Sequence, residues 1–250
     1  MRVAALYDIH GNLPALEAVL DDVRAAKVDA IVVGGDVLPG PMPRECLELL
    51  HATGIPTEFI HGNGESAATE ALGGGPLSSV PEQFRPGVRW SAEQVPAALR
   101  PWMAALPLTV HLDATGIGDV LFCHATPRND TEIFTRLSPD ERVSAMFAGT
   151  TARLAVCGHT HMQFDRTLAG AGLRIVNAGS VGMPFAPPGA YWLLLGPGVE
   201  LRRTSYDLDS AAARIRATSF PGAELFAANQ VLGPPAEEAI LAAYAKVDGR

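Results

Sequence analysis

The chain has 250 residues but only two lysines, Lys27 and Lys246, and three cysteines, Cys46, Cys123 and Cys157. An odd, small number of cysteines without framework spacing excludes a disulfide scaffold and points to a reducing compartment. Cys123 and Cys157 end apolar runs and read as small buried hydrophobes rather than metal ligands. A basic surface is lacking too. The formal net charge of −8 argues against non-specific nucleic-acid binding, and so against a nuclease. It does not exclude an anionic substrate, because bound dications would dominate the local field. Long apolar runs are also missing. None approaches the roughly 20 residues that span a bilayer. The run from Val3 to Tyr7 is too short for the apolar core of a signal peptide and leads straight into Asp8. These absences predict a cytoplasmic protein with no membrane association.

What is present is an alternation of strand-like and helix-like segments. Val3–Tyr7 predicts a buried strand. Leu13, Leu16, Leu20 and Val23 recur at spacings of three and four and predict a helix over 12–26, with Asn12 at its start and Pro14 in its first turn. A strand over Ala30–Val33, a helix over Pro43–Leu50 and a strand over Thr57–Ile60 follow. This order implies a parallel sheet with covering helices, in which sites form at the carboxyl ends of strands. Residues 66–106 break the rhythm and read as a helical excursion, either a wall of the active site or a plain packing element. The second half is strand-rich, with runs near 108–112, 120–123, 154–157, 164–168, 174–176, 191–195 and 200–205. A helical tail is expected over 207–250. No linker separates the halves, so residues 1–250 read as a single domain, an α/β protein in which two sheets pack as an αββα sandwich.

Five short islands carry the chemistry: Asp8-Ile9-His10, Gly35-Asp36, Gly62-Asn63-Gly64-Glu65, His124, and Gly158-His159-Thr160-His161. Most follow a predicted strand. Two carboxylates, four imidazoles and one amide form a mixed oxygen and nitrogen donor set suited to two neighbouring divalent cations. Asp8 and His10 stand two apart, so strand periodicity would send both side chains to one side. A carboxylate has two oxygens to share, which makes Asp36 the expected bridge. Alone, each island has an ordinary reading: a G-G-D loop, an N-G turn, a core histidine. Five at strand ends, in this order, form a joint pattern that those readings do not account for. His61 is a candidate outer neighbour of the site, and Glu65 and Asp165 are candidates to orient the imidazoles.

The succession D-x-H, G-D, G-N, H, G-H-x-H resembles that of the calcineurin-like metallophosphoesterase superfamily, and the D-x-H-G-N form resembles its small bacterial and archaeal phosphodiesterase branch. The motifs span Asp8 to His161. The resemblance implies one metal held by Asp8, His10, Asp36 and His161 and a second held by Asp36, Asn63, His124 and His159, with a bridging hydroxide as the nucleophile. Manganese, iron or zinc would each satisfy such ligands. One departure matters: the better-known phosphatases of the superfamily carry histidine after the asparagine, where this chain has Gly64. That histidine helps to protonate the leaving group. General acid catalysis contributes about 10²–10⁴-fold, so its loss predicts a preference for phosphodiesters or other substrates with acidic leaving groups.

Arg128 and Asn129 could place a guanidinium and an amide over the phosphate, with a surface arginine as the alternative for Arg128. Asn12 either contacts the site or caps its helix. The turn Asn177-Ala178-Gly179-Ser180 is expected to be structural and close to the metals. The expected activity is hydrolysis of a small phosphorylated substrate. A protein or small-molecule monoesterase, and a non-catalytic metal- or nucleotide-binding subunit, are the competing readings. The segment between Trp90 and Trp102 offers an apolar patch compatible with a homo-oligomer.

Overall fold

The computed structural model describes residues 1–168, 170 and 172–248. The last two residues of the expected tail, 249 and 250, lie outside them. The first sheet is built from β1 (Val3–Leu6), β2 (Ala30–Val33) and β3 (Thr57–Phe59), all parallel, with α1 (Leu13–Ala25) and α2 (Pro43–His51) as crossovers. Next come α3 (Asn63–Leu72), α4 (Arg85–Gln94) and α5 (Arg100–Ala104). The second sheet uses β4 (Thr109–Ala114), β5 (Gly118–Cys123), β6 (Leu154–Cys157), β7 (Phe164–Thr167) and β8 (Arg174–Asn177), with α6 (Asp140–Met146) between β5 and β6. Then β9 (Ala190–Leu195) and β10 (Val199–Thr204) return to the first sheet, giving the orders β10-β9-β1-β2-β3 and β4-β5-β6-β8-β7.

Side-chain alternation along the strands makes the layers. Val3, Ala5 and Tyr7 meet Val120, Phe122, Val156 and Val176 between the two sheets. Ala4 and Leu6 face the other way, onto Leu16, Leu20 and Leu47 of the first helical layer. Leu121, Cys123, Ala155 and Cys157 likewise turn outward onto Val143, Met146 and Phe147. Because these strands are covered on both faces, β1, β2 and β6 read as continuous apolar runs. Each fully buried Leu or Val contributes about 1.5–3 kcal/mol. The result is the expected αββα sandwich, and all three cysteines are buried and unpaired.

Gly62-Asn63-Gly64 is not a free turn: Asn63 is the first residue of α3, and Glu65, three residues past Gly62, accepts a hydrogen bond from the Gly62 N–H at 2.8 Å. Within the excursion the helical stretch breaks at its prolines: Pro96 stops α4 and Pro101 sits in the first turn of α5. The chain after β10 folds back as α7 (Leu208–Arg216), α8 (Ala223–Phe226), a π-helical turn over Ala227–Leu232 and α9 (Glu237–Tyr244). Ala212, Ile215, Phe226 and Val231 pack there against Met42. Among the described residues no helix is long and apolar enough to cross a membrane.

Candidate metal centre

All seven expected ligands gather at the carboxyl ends of β1, β2, β5 and β6 and at the start of α3. Period-two geometry is not what aligns Asp8 with His10, since both lie beyond β1. Asp8 (φ 54°), His10 (φ 47°), Asp36 (φ 54°), His159 (φ 64°) and His161 (φ 58°) all hold left-handed backbone. Asp and His are among the residues that tolerate this region best, and such outliers cluster at functional sites. The kinks are locked by bonds between strand-end loops: Asp8 N–H to Gly35 O (3.1 Å), His10 N–H to Asp36 O (2.9 Å) and Gly158 N–H to His124 O (2.8 Å).

The imidazoles are oriented from outside. Nδ1 of His10 meets Pro39 O at 3.1 Å, that of His124 meets Gly34 O at 2.9 Å, and that of His161 meets Met183 O at 2.7 Å. A carbonyl can only accept, so each Nδ1 carries a proton and each Nε2 is turned inward. The Nε2 atoms of His10 and His161 are 3.2 Å apart. Contact this close needs a proton or a cation between the two nitrogens. Burial works to lower His161, but Asp8 outweighs it and raises His161 above its ordinary value in the metal-free site.

Asp8 Oδ1, fully buried, has no hydrogen-bond partner among the described residues, yet lies 3.2 Å from His161 Nε2 and 3.9 Å from the Nε2 of both His10 and His124. Asp36 turns Oδ1 toward His124 (3.6 Å) and Oδ2 toward His10 (3.7 Å). Asn63 Oδ1 stands 3.1 Å from His124 Nε2, and the rings of His124 and His159 have centroids 5.1 Å apart. Two compact donor groups result, Asp8 with His10 and His161, and Asp8 with Asp36 and His124. An orphaned buried oxygen, converging imidazole nitrogens and mixed oxygen and nitrogen donors are what a divalent cation requires.

Electrostatics agree. Burial, then the neighbouring His161, lowers His10 to a pKa of about 3; burial, then His124, lowers His159 to about 3. Both imidazoles are neutral at pH 7 and free to ligate. Burial works to raise Asp8, but His161, itself raised above its ordinary value by Asp8, outweighs it and holds this carboxylate below its ordinary range. Asp36 is pushed up by burial and by Glu65 and Asp8, as expected for adjacent carboxylates without a counter-charge.

Glu65 does not orient an imidazole. Its buried carboxylate accepts from the backbone N–H groups of Asp36 (2.8 Å), Gly62 (2.8 Å), Val37 (2.8 Å) and Leu38 (3.4 Å), tying the Asp36 loop to the start of α3. Asp165 pairs with Arg174 on β8 and is remote in role. Gly64 N–H donates to Asp36 Oδ1 at 2.7 Å, and a Cβ on Gly64 would lie 1.9 Å from Leu38 O. The glycine therefore serves close backbone approach, not only the omission of a side chain.

Arg128 is paired with Glu132, through Nε at 2.9 Å, and is not among the residues that line the cavity over the cluster. Asn12 caps α1 through Ala15 N–H (3.3 Å) and donates to Gly182 O (3.0 Å), the structural alternative of its two readings. Asn177 donates to Gly158 O (2.6 Å), and Ser180 Oγ donates to Asp8 O (2.7 Å), so the expected turn braces the ligand loops. His61 faces Asp130 at 3.2 Å. His111 faces Asp119 at 3.0 Å, across the β4–β5 pair. His51, on α2, packs against Phe59 and Trp102.

This metal-ready cleft between two mixed sheets defines a metallohydrolase class, and comparison places the chain within it. Residues 1–195 match the calcineurin-like phosphoesterase superfamily domain, and the chain belongs to that superfamily. It is thus a phosphoric ester hydrolase. A metallophosphoesterase from Sphaerobacter thermophilus is 27% identical with a TM-score of 0.72, covering 91% of this chain and 99% of that one. A hypothetical protein from Pyrococcus horikoshii shares the fold with a TM-score of 0.78 at 20% identity, covering 94% and 99%. An uncharacterised protein of Methanocaldococcus jannaschii is 28% identical over 196 residues, 73% of this chain and 76% of that relative.

Proposed function

We propose that the seven side chains hold two divalent cations, manganese, iron or zinc, and that the protein hydrolyses phosphodiesters or other phosphoesters with good leaving groups. The observation that carries this reading is the inward set of Nε2 atoms, fixed by carbonyls behind them, around the unpartnered Asp8 Oδ1. Asp8, His10, Asp36 and His161 would form one ligand group, and Asp36, Asn63, His124 and His159 the other. Bridging by Asp36 is supported by its two oxygens facing His124 and His10 separately. Asp8, common to both compact groups, is a second carboxylate within reach of both positions. When bound, such a pair would supply Lewis acidity, bringing the pKa of water from about 15.7 to about 7 and neutralising phosphate oxygens.

The chain's own part is to present neutral imidazoles and to keep the ligand loops rigid through Glu65, Asn177 and Ser180. Position 64 offers only a backbone N–H, already committed to Asp36. No side chain there can protonate a leaving group, which supports the preference for acidic leaving groups. We also infer that the described chain works as one unit, since residues from both ends line one cavity over the ligands. Turnover with added manganese tests the reading. Bis(p-nitrophenyl) phosphate is expected to be cleaved faster than an alkyl phosphate monoester. The reverse order would overturn the diester preference. Bound metal with no turnover on either would favour a non-catalytic subunit.

A further inference from the structure

The ligands His10, Asp36 and Asn63 form part of the lining of a cavity of about 640 Å³ whose other walls are largely apolar. Val80, Phe84 and Val88 come from the 66–106 excursion. Phe220, Leu225 and Phe226 come from the C-terminal segment, beyond the residues matched by the superfamily domain. Phe84 and Leu225 are 60% and 66% exposed, an unfavourable display for large apolar side chains on one cavity. Trp90 and Phe220 meet edge to face at 5.5 Å, and Phe220 and Phe226 at 6.3 Å, so the aromatic wall is buttressed from behind. A volume of this size holds an organic group well beyond a phosphate.

We infer that this cavity is a subsite for a planar aromatic substituent of the phosphoester, selecting aryl-type esters over small alkyl ones. The inference rests on the phosphoester reading of the ligand cluster. A phosphate seated at His10, Asp36 and Asn63 has one ester arm directed into this cavity, where Phe84 and Leu225 would be covered by the ring. Covering a ring's apolar surface should tighten binding by about tenfold or more over a methyl group.

Titration calorimetry on the manganese-loaded protein with phenylphosphonate and methylphosphonate tests this, since the two share one anionic head. The inference expects phenylphosphonate to bind at least about tenfold tighter. It also expects Phe84→Ala with Leu225→Ala to remove most of that difference while leaving methylphosphonate affinity unchanged. Both substitutions are at exposed positions, so the fold should persist. Equal affinities for the two phosphonates, with diester turnover intact, would overturn the subsite and leave the phosphoesterase reading standing. Loss of turnover together with a retained aryl preference would overturn the catalytic reading and keep the subsite. A double variant that changes the sedimentation coefficient but not the aryl preference would show that a second copy of the chain covers these residues, and the inference would fail.

Discussion

Replacing Glu65 with Gln tests how the site is held together. In the native arrangement one carboxylate oxygen accepts from Asp36 and Gly62, and the other from Val37 and Leu38. Glutamine keeps the shape but has only one acceptor oxygen. Whichever way the amide turns, its NH₂ faces two backbone N–H donors that have no other buried partner. Each unsatisfied buried group costs about 1–3 kcal/mol. The substitution should therefore cost about 2–6 kcal/mol, a large share of the roughly 5–15 kcal/mol available to a domain. The loop it frees carries Asp36, so metal affinity should fall about 10–100-fold as well. Urea denaturation of the metal-free protein measures the first effect, and manganese titration the second. Asp165→Asn is the contrast: it removes a partly exposed pair with Arg174 and should cost no more than about 1 kcal/mol. A Glu65→Gln variant within about 0.5 kcal/mol of the parent would refute the reasoning.

Gly64→Ala should displace the Leu38 carbonyl that lies 1.9 Å from the added Cβ, costing about 1–3 kcal/mol, while Gly198→Ala, in open space, should be near neutral; thermal melts compare them. Gly64→His should lower activity rather than restore a general acid, because the backbone cannot accept its Cβ. The His61–Asp130 pair gives a pH signature: its hydrogen bond to His61 lowers Asp130 to about 2 and the same contact raises His61. The Asp130 contribution is present above the ordinary value of 3.8 and lost as pH falls toward about 2. That of His61 is present below 6.5 and lost as pH rises through its raised pKa. The stability difference between the parent and Asp130→Asn should therefore peak between these limits, at about 1–2 kcal/mol; a flat difference across pH would contradict it.

The strands were legible where burial on both faces wrote continuous apolar runs, as in Ala30–Val33 and Leu154–Cys157. The clustering of the proposed ligands was legible because carboxylates and imidazoles at strand ends have few structural uses. What sequence hid was geometry set by contacts between distant segments. Left-handed backbone at Asp8 and His10 depends on partners at Gly35 and Asp36, not on local pattern. The four-donor cradle of Glu65 cannot be seen from a lone glutamate, and the Asn-Gly pair that opens α3 has the signature of a turn. Arg128 looked available for phosphate until Glu132, four residues on, claimed it. The signal for the cavity wall, the tail's two phenylalanines Phe220 and Phe226 with Leu225 between them, was present but acquires meaning only once the tail folds back over the metal-ligand candidates.

The proposed two-cation centre draws on Asp8, His10, Asp36, Asn63, His124, His159 and His161. Elemental analysis after manganese loading and desalting tests it most directly. Two manganese ions per chain are expected, falling to one or none in Asp36→Ala with the fold retained by circular dichroism. Trace metal in the parent protein under every loading condition, or an unchanged stoichiometry in Asp36→Ala, would contradict it.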